Sequence, residues 1–446
     1  MASKFHLETA LTPDGWRKDV VIRIERGMIV GIDAPGQGPA ERISGITVSG
    51  LPNLHSHAFQ RAMAGLTERR GAGGGGEADS FWSWRETMYS FVERLSPDDL
   101  EAIAAFAYME MLEAGFTAVA EFHYLHHQPD GRPYDNVAEM SERIVAAADI
   151  AGIGLTLLPV LYRQAGFGGR PPSEAHRRFV CGRDAYARLM ETRVPGGTIG
   201  IAPHSLRAVT LDDLKWAADT WRGKPAHIHV SEQTREVEDC LATHDTRPVD
   251  LLMDTVEVDE RWCLVHATHA DANELARMAK ARSVVGLCPI TEANLGDGLF
   301  DVPGFLAEDG RFGVGSDSNV RISVADELRT LEYGQRLAHR QRNVLGEAAR
   351  STGRRLFELS LAGGRQAVGQ PVGLLAPGHR ADLVVIDGQG FEGDAVVDHW
   401  LFAADNAAIK SVYCGGVPVV QNGRHKDRDR IATRYRTARQ RSGALP

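Results

Sequence analysis

The sequence predicts an α/β protein: a distorted (β/α)8 barrel of the TIM type, with a small β-sandwich domain built from both termini. The middle of the chain alternates apolar strand-like segments with amphipathic helical patterns, which is typical of a parallel barrel. Both ends consist instead of strand-like runs separated by glycine and proline turns. We therefore predict that residues 1–49 and 369–446 form the sandwich domain, the latter with a terminal helix, and that residues 50–368 form the barrel.

The two ends of the chain show the same pattern of short apolar runs separated by turn residues. The N-terminal part contains the strand-like runs FHLETAL, DVVIRIE and MIVGIDA, and the C-terminal part contains ADLVVID and IKSVYCGGVPVV. Such short apolar runs between turn residues predict strands. Because they flank a long middle region of different character, we expect them to meet in one domain.

Eight segments in the middle of the chain predict the barrel strands. They are LPNLHSH, FTAVAEFH, GLTLLPVLY, GTIGIAPHS, PAHIHVSE, WCLVHATH, SVVGLCP and RFGVGSDS. Helical patterns lie between them, and the clearest helix start is Ser96-Pro97-Asp98-Asp99. Serine is a good N-cap, proline fits the first turn, and aspartate favours the positive end of a helix.

The composition of the chain indicates which classes of binding partner are unsuited to it. The chain has 446 residues and a formal net charge of −9, which argues against nucleic acid or an anionic membrane as the main partner. We find no secretory signal pattern and no apolar stretch long enough to span a bilayer. The five cysteines contain no CxxC pair, which suits a reducing cytoplasm. The basic tail RHKDRDRIATRYRTARQR includes acidic residues, so we interpret it as a solvated helix.

Polar side chains at the ends of the predicted barrel strands indicate a metal site. His55 and His57 stand two apart on a strand and therefore point the same way, so both imidazoles can reach one divalent ion. His229, His266 and Asp317 each close a later strand, at the rim where barrel active sites form. Three of these four imidazoles and the carboxylate would hold one divalent ion, for which zinc is the best match.

The remaining histidines are interpreted as structural. His227 alternates with His229, but Glu232 follows His229 at the strand end, so we favour His229 as the ligand and His227 as a buried, hydrogen-bonded residue. A further histidine cluster is interpreted as a polar loop after the second strand. It comprises His123, His126 and His127. The fourth strand, TIGIAPHS, contains no lysine that could bridge two ions, so we expect one metal.

A glycine-rich segment, Gly71–Gly76, follows the first barrel strand. Its composition is typical of a flexible surface loop. Because the segment lies on the side where barrel active sites form, we expect it to belong to a mobile lid.

The motifs resemble those of the amidohydrolase superfamily over nearly the whole chain. GLPNLHSHAFQRAM, HIHVSE, LVHATH and GVGSDS are similar to its signatures, and GLLAPGHRADLVVID (residues 373–387) is similar to its C-terminal β-domain segment. Within the superfamily, five further segments resemble the formimidoylglutamate deiminase family. They are HSHAFQRAMAGLTE, FWSWRETMY, AEFHYLHH, APHSLRAV and LCPITEANLGDG.

This resemblance implies a function and a set of residue roles. It implies hydrolysis of N-formimino-L-glutamate to N-formyl-L-glutamate and ammonia in histidine degradation, by an enzyme that we expect to be a homodimer. The implied metal ligands are His55, His57, His229 and Asp317; the implied catalytic residues are Glu232, His266 and Asp317; and the implied substrate-binding residues are Gln60, Arg85, Tyr124, His204 and Arg207.

Paired arginines agree with a dicarboxylate substrate, because guanidinium groups bind carboxylates bidentately. Arg207 lies just past a barrel strand, three residues after His204, whereas Arg85 lies in the aromatic segment FWSWRETMY. Two alternatives stay open. A deaminase of the same superfamily that acts on a purine or pyrimidine ring would need aromatic side chains that stack on the base. A scaffold relative without enzymatic activity would have no need of the metal ligands.

Overall fold

A computed structural model of the protein describes residues 2–33, 36, 38–68 and 81–443. The glycine-rich segment Gly71–Gly76, predicted to belong to a lid, lies outside the described residues. The strands are β1 (Ala2–Thr12), β2 (Gly15–Glu25), β3 (Met28–Asp33), β4 (Glu41–Ser49), β5 (Leu51–Ser56), β6 (Phe116–His123), β7 (Gly154–Leu161), β8 (Thr198–Ile199), β9 (Ala202–Pro203), β10 (Ala226–Val230), β11 (Trp262–His266), β12 (Val284–Leu287), β13 (Arg311–Val314), β14 (Leu383–Ile386), β15 (Ile409–Cys414), β16 (Val417–Gln421) and β17 (Arg424–His425).

Helices alternate with the strands through the middle of the chain. The α-helices are α1 (Phe81–Val92), α2 (Pro97–Glu113), α3 (Glu139–Ala151), α4 (Arg183–Leu189), α5 (Leu211–Thr220), α6 (Thr234–His244), α7 (Pro248–Thr255), α8 (Ala272–Lys280), α9 (Pro289–Leu295), α10 (Val302–Ala307), α11 (Val324–His339), α12 (Thr352–Val368), α13 (Asp394–Phe402) and α14 (Arg428–Arg441). The predicted start of α2 is confirmed: the Ser96 side chain accepts the Asp99 backbone N–H, and the Asp99 carboxylate accepts the Ser96 N–H.

All eight segments predicted as barrel strands form parallel strands, with the fourth divided into the short pieces β8 and β9. Strands β5 to β8 pair in chain order, β9 pairs with β7, and β10 to β13 pair in chain order. Isolated parallel bridges join the two groups at both edges, from Ile201 to Ala226 and from Ser56 to Asp317. The order of pairing is therefore cyclic, and the carboxyl ends of the strands gather at one rim.

Burial explains why these segments are strands. Every residue of β6 and β7 is buried, as expected when helices cover the outer face of a closed ring of parallel strands and the strands' own side chains fill its interior. Their β-branched and other apolar side chains pack into one large core shared with the surrounding helices. None of the helices in the described part of the chain combines the length and apolarity needed to cross a membrane.

Strands from both ends of the chain form one eight-stranded sheet, in the order β17-β16-β15-β14-β4-β1-β2-β3. This confirms that the two termini share a β-structure. Phe5 on β1 and Tyr413 on β15 are three strands apart, which would separate them by roughly 14 Å in a flat sheet. Their ring centroids lie only 5.4 Å apart, so the sheet curls and its two halves pack face to face.

The basic tail forms α14, as predicted, but it is not a freely solvated helix. Tyr435 stacks on Phe106 of α2, with ring centroids 3.9 Å apart. On the same side, Arg434 donates to Glu101 of α2 at 2.7 Å. Burial of one face and pairing of Arg434 with an acidic residue hold α14 against α2.

Candidate active site

Four side chains that were predicted as metal ligands converge at the rim of the parallel strands. His55 Nε2 lies 3.2 Å from His57 Nε2 and 3.1 Å from His229 Nε2. Asp317 Oδ1 lies 3.5 Å from His55 Nε2 and 3.3 Å from His57 Nε2. All four residues are at least 94% buried. The side chains come from β5, β10 and the turn after β13, which the cyclic strand order brings together.

The spacing of these atoms fits a divalent ion. Zinc binds nitrogen and oxygen at about 2.0–2.2 Å in a tetrahedron, which puts neighbouring ligand atoms roughly 3.3 Å apart. The Nδ1 atoms of His57 and His229 face the carbonyl oxygens of Phe122 and His204, at 2.9 and 3.0 Å. Because a carbonyl can only accept, each Nδ1 carries the proton and each Nε2 keeps a lone pair for the ion.

Burial keeps these imidazoles in the neutral form that metal ligation requires. It lowers the pKa of His55 well below its usual value, and the neighbouring His57 lowers it further. Burial is likewise the largest cause of the lowered pKa of His57 and His229. Converging neutral imidazoles beside a carboxylate are the donor set expected for zinc.

The strand ends at the site have an unusual backbone. His266 and Asp317 adopt left-handed φ angles of 67° and 45°, which cost energy for residues other than glycine. Tertiary hydrogen bonds hold this conformation at Asp317, whose N–H donates to His55 O and whose carbonyl accepts from His57 N–H. Strain of this kind concentrates at functional sites, where it aims a side chain.

Acid–base groups surround the ligand cluster. His266 Nε2 lies 3.8 Å from both Glu232 Oε1 and Asp317 Oδ2, and His266 Nδ1 lies 3.1 Å from Glu292 Oε1. Burial alone would lower the pKa of His266, but the neighbouring carboxylates outweigh burial and raise it to about 10. Burial also raises the pKa of Glu232, against the lowering effect of the His266 and Arg207 charges, so this carboxyl group holds a proton more readily than an exposed one does.

Arg207 lies on the other side of Glu232. Its guanidinium is 3.6 Å from Glu232 Oε2 and 3.7 Å from Glu236 Oε1, and only 11% of its side chain is exposed. Glu236 is fully buried, and its second oxygen accepts the Glu232 backbone N–H at 3.1 Å. The Glu236 carboxylate therefore holds both the Arg207 guanidinium and the backbone of Glu232 in place.

One cavity contains the predicted site. All the predicted site residues except His55, which lies beneath it, line this cavity. Gln60 Nε2 donates to Tyr124 Oη at 2.9 Å, so these two substrate-binding candidates act as a unit. The Arg85 guanidinium lies 4.6 Å from the Trp82 ring centroid. The cavity wall also contains Arg170 and Arg235, which makes it rich in cations.

Sequence reasoning missed several residues of the site. Glu236 and Glu292 are the buried partners of Arg207 and His266, and three other residues line the cavity: Tyr89, Tyr162 and His176. Glu292 lies in LCPITEANLGDG and Tyr89 lies in FWSWRETMY, so two of these residues were inside segments already singled out. Glu236 stands four residues after Glu232, in the first turn of α6, and no local motif marks it.

The other histidines are structural, although one group is not placed as predicted. His227 is fully buried and its Nε2 faces Ala367 O at 2.9 Å, which confirms its prediction. The cluster of His123, His126 and His127, interpreted as a polar loop, is buried instead, and His123 is the last residue of β6. His126 Nε2 and His127 Nε2 bind carbonyl oxygens at 2.9 and 2.8 Å, because this loop folds inward under the segment around Phe179.

Comparisons with known proteins agree with this geometry. The profile of the Amidohydrolase family matches residues 46–419. Formimidoylglutamate deiminase from Pseudomonas aeruginosa is 51% identical over 97% of this chain and 98% of its own. An 8-oxoguanine deaminase from the same organism is 28% identical over 93% of both chains.

Solved structures show the same similarity. The crystal structure of an amidohydrolase from Brucella melitensis has a TM-score of 0.94 and 49% identity, over 99% of both chains. A zinc-bound adenosine deaminase from Xanthomonas campestris has a TM-score of 0.80 over 99% of this chain and 98% of its own, with 19% identity. At that level of identity the likeness concerns the fold alone.

Proposed function

The chain belongs to the amidohydrolase family, and from this premise we propose that it hydrolyses N-formimino-L-glutamate to N-formyl-L-glutamate and ammonia, as a step of histidine degradation. It is a hydrolase that acts on C–N bonds. The observation that carries the proposal is the position of Glu232. Its carboxylate lies between His266, at 3.8 Å, and Arg207, at 3.6 Å. A proton donor therefore stands between the ligand cluster and a cation suited to a substrate carboxylate.

The fold is proposed to be a distorted (β/α)8 barrel of residues 50–368, with a sandwich domain made of residues 1–49 and 369–446. The cyclic pairing of β5 to β13 supports the barrel. The curled sheet of both termini supports the sandwich. Strand β4 ends at Ser49 and helix α12 ends at Val368, which agrees with these boundaries.

His55, His57, His229 and Asp317 are proposed to hold one divalent ion, most simply Zn²⁺. The support is the near-tetrahedral spacing of their ligand atoms, together with two Nδ1–H groups that bind carbonyl oxygens. A divalent ion bound there supplies Lewis acidity and lowers the pKa of a water molecule toward neutrality.

The surrounding residues move the protons. Asp317 Oδ2 faces His266 and can take the proton from the attacking water. Glu232, whose pKa is raised by burial, can donate a proton to the nitrogen that leaves as ammonia, which is a general acid role. His266, oriented by Glu292, can hydrogen-bond the oxygen that becomes negative when the formimino carbon is attacked.

The substrate-binding residues are proposed to select a dicarboxylate. Arg207 and Arg85 would each bind one carboxylate, because guanidinium groups match carboxylates in charge and geometry. Gln60, Tyr124 and His204 would contact the polar chain between them. Burial of Arg207 strengthens its interaction with an anion, because water screens charges less in a closed cavity.

Product analysis tests this function. Zinc-loaded protein is incubated with N-formimino-L-glutamate, and the products are identified by mass and by an ammonia assay. We expect N-formyl-L-glutamate and ammonia in equal amounts. Formamide with glutamate would show that the other C–N bond breaks. Turnover of a purine instead would favour a ring deaminase, an alternative that the 28% identity with the 8-oxoguanine deaminase keeps open.

A cytoplasmic homodimer is proposed as the working form. All five cysteines are free thiols, which agrees with a reducing compartment. The homodimer is the expectation that the family resemblance carries. Light scattering of the purified protein measures the mass, and a monomer would contradict the proposal.

A further inference from the structure

A polar cluster of three residues lies in the wall of the active-site cavity, apart from the ligand and proton-handling groups. Tyr89 is on α1, Tyr162 directly follows β7, and His176 ends a short 3-10 helix. All three line the cavity. Tyr89 Oη lies 3.1 Å from His176 Nε2, and Tyr162 is close enough to Tyr89 that, after burial, Tyr89 is the next cause of its raised pKa.

The direction of these hydrogen bonds follows from a backbone amide. The Ser173 N–H donates to His176 Nδ1 at 3.1 Å. Nδ1 therefore accepts, and the proton of the neutral ring is on Nε2. Burial, and then the Arg85 charge, lower the pKa of His176, which keeps the ring neutral. His176 Nε2–H thus donates to Tyr89 Oη.

Counting protons shows what the cluster offers to a ligand. His176 Nε2–H, the Tyr89 hydroxyl and the Tyr162 hydroxyl are three donors. The bond from His176 to Tyr89 uses one donor and leaves both phenolic O–H groups. Even if one phenol donates to the other, one phenolic O–H is left to donate into the cavity. Burial raises the pKa of both tyrosines, so the phenols stay protonated.

The surroundings of this hydroxyl are cationic. The charges of Arg85 and Arg207 act on both Tyr89 and Tyr162, and the Arg85 guanidinium lies 5.6 Å from the Tyr89 ring centroid. An O–H donor beside the Arg85 guanidinium matches a carboxylate, since charge-assisted hydrogen bonds are the strong ones.

We propose that Tyr89 and Tyr162 form a carboxylate-binding subsite that determines substrate specificity, with His176 as the positioning residue that directs the free O–H. Which molecule carries the carboxylate rests on the proposed function, where it is one end of N-formimino-L-glutamate. The subsite itself requires only a short dicarboxylate.

Glutarate is the probe, because it has the two carboxylates of the proposed substrate and no formimino group. Calorimetry measures its binding to zinc-loaded wild type and to Tyr89→Phe/Tyr162→Phe, the double variant that removes both hydroxyls. We expect binding about 10- to 150-fold weaker in the variant, as is typical for loss of a hydrogen bond to a charged group. Each single variant should show a smaller loss. Tyr413→Phe, in the sheet of the two termini, is the matched control and should bind like wild type.

The kinetics separate a binding role from a structural one. Because the subsite binds a carboxylate and does not contact the reacting carbon in this proposal, the double variant should raise KM for N-formimino-L-glutamate and leave kcat nearly unchanged. Zinc content and Tm should stay near those of wild type. His176→Leu should raise KM in the same direction, and His176→Gln, whose amide can still donate to Tyr89 and accept from Ser173, should restore it.

Two results would overturn the subsite: a folded, zinc-loaded double variant that binds glutarate as tightly as wild type, or a wild type that does not bind glutarate. The proposed function fails differently. A wild type that binds glutarate, with the expected loss in the variant, but does not hydrolyse N-formimino-L-glutamate would support the subsite and contradict the function.

Discussion

Replacing Arg207 by methionine is the most informative change in the substrate pocket. The guanidinium is 11% exposed and lies between two buried carboxylates, 3.6 Å from Glu232 and 3.7 Å from Glu236. Loss of one partner from a buried charge pair costs about 2–5 kcal/mol in binding. Because each 1.36 kcal/mol is about tenfold in rate, kcat/KM for N-formimino-L-glutamate should fall by roughly two to three orders of magnitude, with zinc retained.

The same change should lower stability, because it leaves two buried carboxylates without their cation. Breaking a buried pair in this way costs about 3–5 kcal/mol. Combining Arg207→Met with Glu236→Gln removes one of the stranded charges, and the glutamine oxygen can still accept the Glu232 N–H. We therefore expect the double variant to recover much of the lost Tm but none of the lost kcat/KM.

Steady-state kinetics, metal analysis and thermal unfolding of the single and double variants measure these effects. Arg85→Met is the companion variant and should also raise KM, by a smaller factor, since its guanidinium lies against Trp82 instead of two carboxylates. If adding Glu236→Gln restores kcat/KM to the wild-type level, Arg207 serves only to neutralise Glu236. Its assignment to a substrate carboxylate would then be refuted.

Three further changes test other parts of the site. Purified protein should contain close to one equivalent of zinc, and removing it with a chelator should abolish activity; full activity in demonstrably metal-free protein would contradict the ligand assignment. Glu232→Gln should keep the zinc but lower kcat by about 10²–10⁴-fold, because an amide cannot donate the proton; near-wild-type turnover would exclude it as the acid. Burial lowers the pKa of His126 from 6.5 to about 3, so the unfolded chain takes up its proton first and the free energy of unfolding should fall as pH drops below 6.5, by up to about 1.4 kcal/mol per pH unit. In His126→Gln, whose amide can still donate to Val160 O, denaturant titrations at pH 7 and pH 5 should show a smaller fall, and an equal fall would refute this source of acid sensitivity.

The features that could be predicted best from the sequence depend on residues close to one another in the chain. His55 and His57 could be recognised because strand periodicity alone places both side chains on one side. His229, His266 and Asp317 end apolar segments, and parallel strands bring such ends to one rim. Likewise, four consecutive residues, Ser96 to Asp99, determine the start of α2, and the N-cap forms as expected.

Features that depend on tertiary contacts could not be predicted in the same way. Glu292 orients His266 from a different element of the barrel, 26 residues away in sequence. His126 was interpreted as part of a polar loop because local composition gives no sign that the loop folds into the core. Similarly, the mixture of acidic and basic residues in α14 suggested a solvated helix, whereas Arg434 and Tyr435 contact α2, more than 300 residues earlier in the chain.

Competition between substrate classes tests the central claim most directly. The values of kcat/KM are measured for N-formimino-L-glutamate and for a panel of purines and pyrimidines, including 8-oxoguanine, on one zinc-loaded preparation. A dicarboxylate pocket with Arg207 beside Glu232 predicts a preference of several orders of magnitude for N-formimino-L-glutamate. Efficient deamination of a nucleobase, with N-formimino-L-glutamate left intact, would contradict it.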